Sequence, residues 1–337
     1  MGYLRSSAVH HLGPSPWSFI HFAKRRVGKN PVLWSAPPYQ RPAYRVFQEH
    51  CEYVLAKYGI REMFRQTNVE KIEKLENGNF RISTDADEYE AHRVVLSIGQ
   101  APPNLAAWGL DNPRVQHLLS ENLSTVKGHV IVVGAGMTAC QFCLANLGKF
   151  EKLTLIAATL PRESDFDADP CWIGPKCRTP EFESMSVEEK RRIVSTERLP
   201  GTVNETVLSE LQNAIAAKKI DFRPGRLMGA EGDKVVLDSG ELLSFDHVIL
   251  GTGFQATRPG GQLVDDMIEE IGLPTTPCGY PLLSESLEWI EGLYATGGLA
   301  ELRLGPVSRN ITGGRSAAKI ILKHASTTIP PKELILS

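Results

Sequence analysis

The run Val130-Ile131-Val132-Val133-Gly134-Ala135-Gly136-Met137-Thr138-Ala139 constrains the fold more than any other stretch of this chain. Consecutive β-branched residues read as a strand buried on both faces, and the G-x-G-x-x-A that follows delivers such a strand into a helix. Each small residue has its own reason to be there. Gly134 allows the tight turn, Gly136 leaves no side chain between the backbone and a pyrophosphate, and Ala139 lets the helix pack on the strand. The first helical N–H groups, which have no intrahelical acceptor, then face phosphate oxygens. Gly134, Ala135, Gly136, Met137 and Thr138 are therefore candidate nucleotide-binding positions. The expected fold class is α/β, with a parallel sheet of the Rossmann kind.

The choice of nucleotide is read at the end of the next strand. An NAD site usually places an acid there for the ribose 2′-hydroxyl, and Leu155-Ile156-Ala157-Ala158 has none. Arg162, a few residues on, carries a planar fork of donors suited to a 2′-phosphate, so NADPH is expected. An exposed loop charge is the other reading of Arg162. Bulk properties narrow the partners. With Lys+Arg at 37 and Asp+Glu at 39, the formal charge is -2, which gives no field to recruit nucleic acid or an anionic membrane. A small molecule remains as the partner. Residues 130–148 are about as long as a membrane span, but they contain glycines with Thr138, Gln141 and Asn146, and read as strand, turn and helix. No apolar segment follows Met1, so the cytoplasm is expected.

Six cysteines in 337 residues do not make a disulfide scaffold, and reduced thiols are expected. Cys140 and Cys143 form C-x-x-C on the nucleotide-domain helix, where packing is favoured over a redox dithiol. Asp165, Asp167 and Asp169 alternate as in a calcium loop but lack the glycine and distal glutamate, so no metal is expected. From Pro42 onward a stripe of Tyr44, Phe47, Cys51, Val54, Leu55 and Tyr58 predicts a helix. Strands are predicted over 68–75 and 79–84 around an Asn77-Gly78 turn. The polar stretch 159–200 is too long for an ordinary connection and reads as a functional excursion. Within it, Trp172 with residues 174–176 forms either a lid over the nucleotide or an exposed linker. A helix over 205–218, a strand over 220–223, a hairpin over 234–243 and a strand at 248–250 close the unit. His10 and His11 either orient a substrate or cofactor carbonyl or lie on the surface.

Two similar strands, VVLSIG (94–99) and VILGTG (248–253), end at small-residue turns on either side of the nucleotide unit. The run LYATGGLAELRLGPVSRNITGGRSAAKIIL adds a third strand, a glycine-rich loop and a helix. These features supply Ser97, Gly99, Thr252, Gly253, Gly297, Gly298, Gly305, Pro306 and Asn310 as further cofactor-binding candidates. Their order resembles the two-dinucleotide-binding flavoproteins, and most closely the flavin-containing and N-hydroxylating monooxygenases. The segment LRSSAVHHLGPSPWSFIHFAKR is similar to the one that runs past the flavin toward the substrate in the N-hydroxylases. The resemblance implies an FAD/NAD(P)-binding, Rossmann-like, two-domain architecture. Residues 1–119 would begin an FAD domain, 120–255 form an NADPH domain, and 256–337 return to the first. It also implies hydride transfer from NADPH to FAD, then oxygen transfer to a small amine or similar nucleophile. A reductase without oxygen transfer, or an inactive nucleotide-binding protein, is the alternative. No protein side chain is required as nucleophile or base, so no catalytic residue is assigned. The βαβ unit with which such proteins begin, carrying its own GxGxxG, is absent from this chain, and Gly297-Gly298 stands where many relatives place Gly-Asp. FAD is accordingly expected to bind weakly.

Overall fold

The structure is a computed structural model that describes residues 2–105, 112–120, 123–174 and 176–328. Its described residues divide into two compact units, one within 102–167 and 199–255, the other within 2–101, 168–198 and 256–328. The excursion is thereby split, with residues 168–198 folding alongside the second unit instead of the nucleotide unit they interrupt in sequence.

In the first unit five strands make one sheet, in the order Asp221–Pro224, Lys152–Ala157, His129–Val133, His247–Leu250, Val115–His117, with every pair parallel. Period-two geometry sorts the apolar run onto two faces. Val130, Val132, Leu153, Leu155 and Ile249 pack with Ala139, Cys140, Cys143, Leu211 and Ala214 of the helices Met137–Ala145 and Glu205–Ala216. Ile131, Ile156, Val248 and Leu250 pack on the other side with Val235, Leu237, Leu243 and Phe245. The hairpin read from sequence is two strands of a three-stranded antiparallel meander, Leu227–Glu231, Lys234–Leu237 and Leu242–Ser244. Asn204 caps the helix Glu205–Ala216 by accepting a hydrogen bond from the Val207 amide at 3.0 Å. Of the Pro-rich link, residues 106–111 lie outside the described residues.

The second unit has a sheet of Glu288–Ile290, Leu293–Ala295 and Val94–Leu96, the last two parallel. Beside it stands the meander Val69–Lys74, Phe80–Thr84, Glu88–Ala91, whose first turn holds Gly78 at φ +85°. VILGTG is flanked by a strand on both sides, whereas VVLSIG has one strand neighbour among the described residues, and Val95 is 47% exposed. The helix Gly261–Ile271, buried through Val264 and Met267, has no counterpart in the sequence reading. It opens on two glycines in left-handed conformation and lacks a Ser, Thr, Asp or Asn cap to announce it.

The helix at Pro42 runs Tyr44–Lys57, but its buried face is Val46, His50 and Val54. Tyr44 and Tyr58, from the predicted stripe, are exposed. A buried histidine explains the rotation, because hydrophobicity alone counts it as polar. His50 Nε2 lies 3.0 Å from Ser18 Oγ, and its ring meets Phe19, Phe22 and His11 edge-on. His11 is wholly buried, which corrects the surface reading, and its Nδ1 accepts from the Gly13 amide at 3.0 Å.

Two consequences can be measured. Gly251 is held against the nucleotide-domain helix so closely that a Cβ there would lie 2.6 Å from that of Ala139. Gly251→Ala should lower unfolding stability by about 1–3 kcal/mol in urea titrations. His50 is pushed down from 6.5 to about 4, first by burial and then by His11. The unfolded chain takes up a proton that the folded one refuses, so this contribution is complete above pH 6.5, declines toward pH 4 and is flat below. His50→Gln should flatten the stability profile over that window.

Candidate functional site

The glycine turn of the first unit is built from backbone contacts that exclude side chains. Gly134 sits at φ +108°, and a Cβ on it would lie 2.6 Å from the carbonyl oxygen of Gly251. Its amide donates to the Ile156 carbonyl at 2.8 Å, and the Gly251 amide donates to the Val133 carbonyl at 2.8 Å, locking three adjacent strand ends together. Gly136 is the N-cap of the helix Met137–Ala145 in extended conformation, without a side-chain cap, and a Cβ there would meet nothing within 4 Å. The turn therefore presents bare backbone and an uncapped helix start, the arrangement that binds a diphosphate.

Gly134, Ala135, Arg162 and Thr252 line one cleft of 480 Å³. Met137 and Thr138 occupy the first helical turn but not the cleft wall, as does Gly136 at the cap. Gly253 stands at φ +74°, and its carbonyl accepts from the Asn104 amide at 2.9 Å and faces His117 Nε2 at 3.1 Å. Arg162 opens a short strand at the far side of the cleft, parallel to Thr202–Val203. A second arginine, Arg226, lines the same cleft and was missed in sequence. It follows Gly225, whose amide donates to the Ala157 carbonyl at 3.0 Å, so the end of the third strand is brought beside the end of the second. The available signal was a basic residue just past a parallel strand. No carboxylate lines the cleft among the described residues, and neither guanidinium has a carboxylate partner among them. Two cations and no acid suit a phosphate in addition to the diphosphate.

Cys140 and Cys143 are fully buried and unbonded to each other. Burial pushes the Cys140 thiol up to about 12, and burial followed by the neighbouring Cys140 raises Cys143 further. Such thiols pack; they do not supply thiolates at neutral pH. The expectation of reduced cysteines throughout is corrected by a disulfide between Cys171 and Cys177, which lie six residues apart on one loop and need no scaffold to meet. Trp172, between them, is buried against Gly305 and Phe182 in the second unit, so it is not an exposed linker. Of the residues read with it, Pro175 lies outside the described residues. No group of acidic, histidine or cysteine side chains among the described residues is arranged to hold a metal ion.

In the second unit Ser97, Gly99, Gly297 and Asn310 line a groove of 570 Å³, together with Thr296 and Arg309. Gly99 and Gly297 have φ of +75° and +59°, and a Cβ on either would project into open space. Gly298, Gly305 and Pro306 are not on its wall. A Cβ on Gly298 would lie 2.6 Å from the ring of Pro259, Gly305 abuts Trp172, and Pro306 is buried. Asn310 caps the helix Ile311–Thr328 by accepting from the Gly313 amide at 3.1 Å. Arg309, not singled out in sequence, is held on three sides. It donates to Glu301 Oε2 at 2.7 Å, Gln100 Oε1 at 3.1 Å and Tyr280 Oη at 3.4 Å. Glu301 is completely buried and also pairs with Arg191.

A family model described as pyridine nucleotide-disulphide oxidoreductase matches residues 23–318. No curated protein matches the chain in sequence. Among solved structures, the fold is similar to that of an ornithine hydroxylase from Pseudomonas aeruginosa. That pair has 18% identity and a TM-score of 0.76 over 97% of this chain and 87% of that one. An ornithine N-hydroxylase from Kutzneria sp. 744 gives 17% identity and 0.75 over 97% and 88%. An L-lysine 6-monooxygenase from Pseudomonas syringae gives 18% and 0.68 over 86% and 78%. At these identities the likeness is one of fold.

The two-arginine cleft makes a quantitative claim. Arg162→Ala and Arg226→Ala should each weaken NADPH by about tenfold, the size of one charge-assisted hydrogen bond. NADH should be nearly unaffected, as read by fluorescence titration of both nucleotides; an equal loss for NADH would remove the 2′-phosphate from this cleft.

Proposed function

Starting from a chain that belongs to the pyridine nucleotide-disulphide oxidoreductase family, we propose an NADPH- and FAD-dependent oxidoreductase of the monooxygenase kind, acting on a small amine. The observation that carries the reading is the cleft at the Gly134 turn, with Arg162 and Arg226 lining it and no acid for a 2′-hydroxyl. The turn and uncapped helix would take the diphosphate of NADPH, and the two guanidiniums would take its 2′-phosphate.

The groove beside Ser97, Gly99, Gly297 and Asn310 would hold the flavin. Its bare left-handed glycines leave room for a flat ring, and Arg309 adds a fixed cation on its wall. Held by Ser97, Gly99, Gly297, Asn310 and Arg309, a flavin would supply the redox chemistry between NADPH and oxygen. The residues of this chain bind, orient and exclude water. The thiols of the nucleotide-domain helix take no part, because their burial denies them the thiolate form that disulfide exchange requires. Likeness of fold to an ornithine hydroxylase, an ornithine N-hydroxylase and a lysine monooxygenase supports an amine as the nucleophile.

The test combines the purified chain with excess FAD, then measures NADPH oxidation and oxygen uptake with and without ornithine, lysine and simple diamines. Amine-dependent oxygen uptake with a hydroxylated product is expected. NADPH oxidation that never hydroxylates an amine would reduce the reading to a flavin reductase, and failure to bind NADPH would overturn it.

A further inference from the structure

Residues 168–198 begin with a disulfide-closed loop. Cys171 and Cys177 are disulfide-bonded, the Cys171 amide donates to Asp169 Oδ1 at 2.8 Å before the loop, and Thr179 caps the helix Pro180–Ser184 after it. Trp172 lies inside the loop and is 5% exposed. Its ring stands edge-on to Phe182 with centroids 5.0 Å apart, and a Cβ on Gly305 would come within 2.6 Å of it. Val307 belongs to the same apolar cluster. From there the backbone is continuous with the groove wall. The Ser308 amide donates to the Gly305 carbonyl and the Asn310 amide to the Val307 carbonyl, both at 3.1 Å, and Arg309 and Asn310 line the groove.

The rest of the excursion is tied down independently of the disulfide. Arg191 pairs with Glu301, Arg303 pairs with Glu183, and Lys190 Nζ donates to the Glu183 carbonyl at 2.7 Å. Opening the disulfide would free the loop and Trp172 while leaving both helices in place. The two bonded cysteines are half-buried, unlike the fully buried Cys140 and Cys143.

We propose that the Cys171–Cys177 bond is a reducible clasp that keeps Trp172 seated on Gly305 and thereby fixes the groove wall carrying Arg309 and Asn310. The reductant is a dithiol. One of its thiolates attacks a cysteine sulfur, the S–S bond breaks, and the other cysteine leaves as a thiolate that takes up a proton. The second thiol of the reductant then displaces the first cysteine, so two electrons enter the protein and the reductant departs as a cyclic disulfide. Once open, the loop gains conformations that closure had removed, and the seating of Trp172 becomes an equilibrium.

The test uses the full chain, oxidised or treated with dithiothreitol, and reads cysteine alkylation and amide exchange by mass spectrometry. In the oxidised protein Cys171 and Cys177 should resist iodoacetamide. Dithiothreitol should expose both while Cys140 and Cys143 stay unlabelled. Reduction should speed exchange at Ser308 and Asn310 and leave the helix Val187–Glu197 unchanged. The double variant Cys171→Ser, Cys177→Ser should exchange like the reduced wild type. Trp172→Ala, which empties the seat on Gly305, should exchange fast in either redox state. Free labelling of Cys171 and Cys177 in the oxidised protein, or unchanged exchange at Ser308 and Asn310 on reduction of the wild type, would overturn the clasp.

Discussion

Gly134, Ala139 and Gly251 meet at one point of the first unit, and the rest of that unit is arranged around how close they come. A Cβ on Gly134 would strike the Gly251 carbonyl, and one on Gly251 would strike the Ala139 methyl. The glycine turn can be tight only because the neighbouring strand also ends in glycine, and the helix can start there only because its third residue is small. That close packing leaves bare backbone at Gly136 and lines up the ends of three parallel strands. The cleft is the space those aligned ends enclose. Its two arginines come from segments that leave the sheet beside it, so their convergence follows from strand order more than from any local motif.

The second unit solves a different problem, that of fixing a charged side chain at the wall of an open groove. A fully buried carboxylate, Glu301, is costly to desolvate unless it is paired, and here two arginines pair it. With Gln100 and Tyr280 added, Arg309 has little freedom to swing. The groove thus has a rigid cation and two side-chain-free glycines on its walls. Residues 168–198 contribute to this wall by covalent and ionic means, through Trp172 on Gly305 and Arg191 on Glu301.

Much of the first unit was legible in the sequence, because its information is local. A β-branched run followed by G-x-G-x-x-A specifies strand, turn and helix within one stretch, and the alternate residues sort to opposite faces as period two requires. The hairpin at Asn77-Gly78 was equally local. Arg162 was legible because it follows a strand whose end is itself recognisable. Arg226 was not, since its place on the cleft wall depends on which strand lies beside which, and pairing is a long-range property. The helix Tyr44–Lys57 shows the same limit, for its existence was readable but its buried face turned on His50 finding Ser18 across 32 residues.

The sequence by itself determined that this chain forms a parallel α/β nucleotide unit, where its glycine turn lies, and which small residues that turn requires, because close backbone approach admits almost no other residues. Only the tertiary structure decided the rest. It placed a second arginine in the cleft, assigned residues 168–198 to the other unit, and joined Cys171 to Cys177 over a buried tryptophan. It also buried Glu301 between Arg309, eight residues on, and Arg191, 110 residues back. Apart from the disulfide, whose cysteines lie six residues apart, these depend on groups brought together across many residues, and charge pairing, burial and packing are set by that proximity in space and not by spacing along the chain.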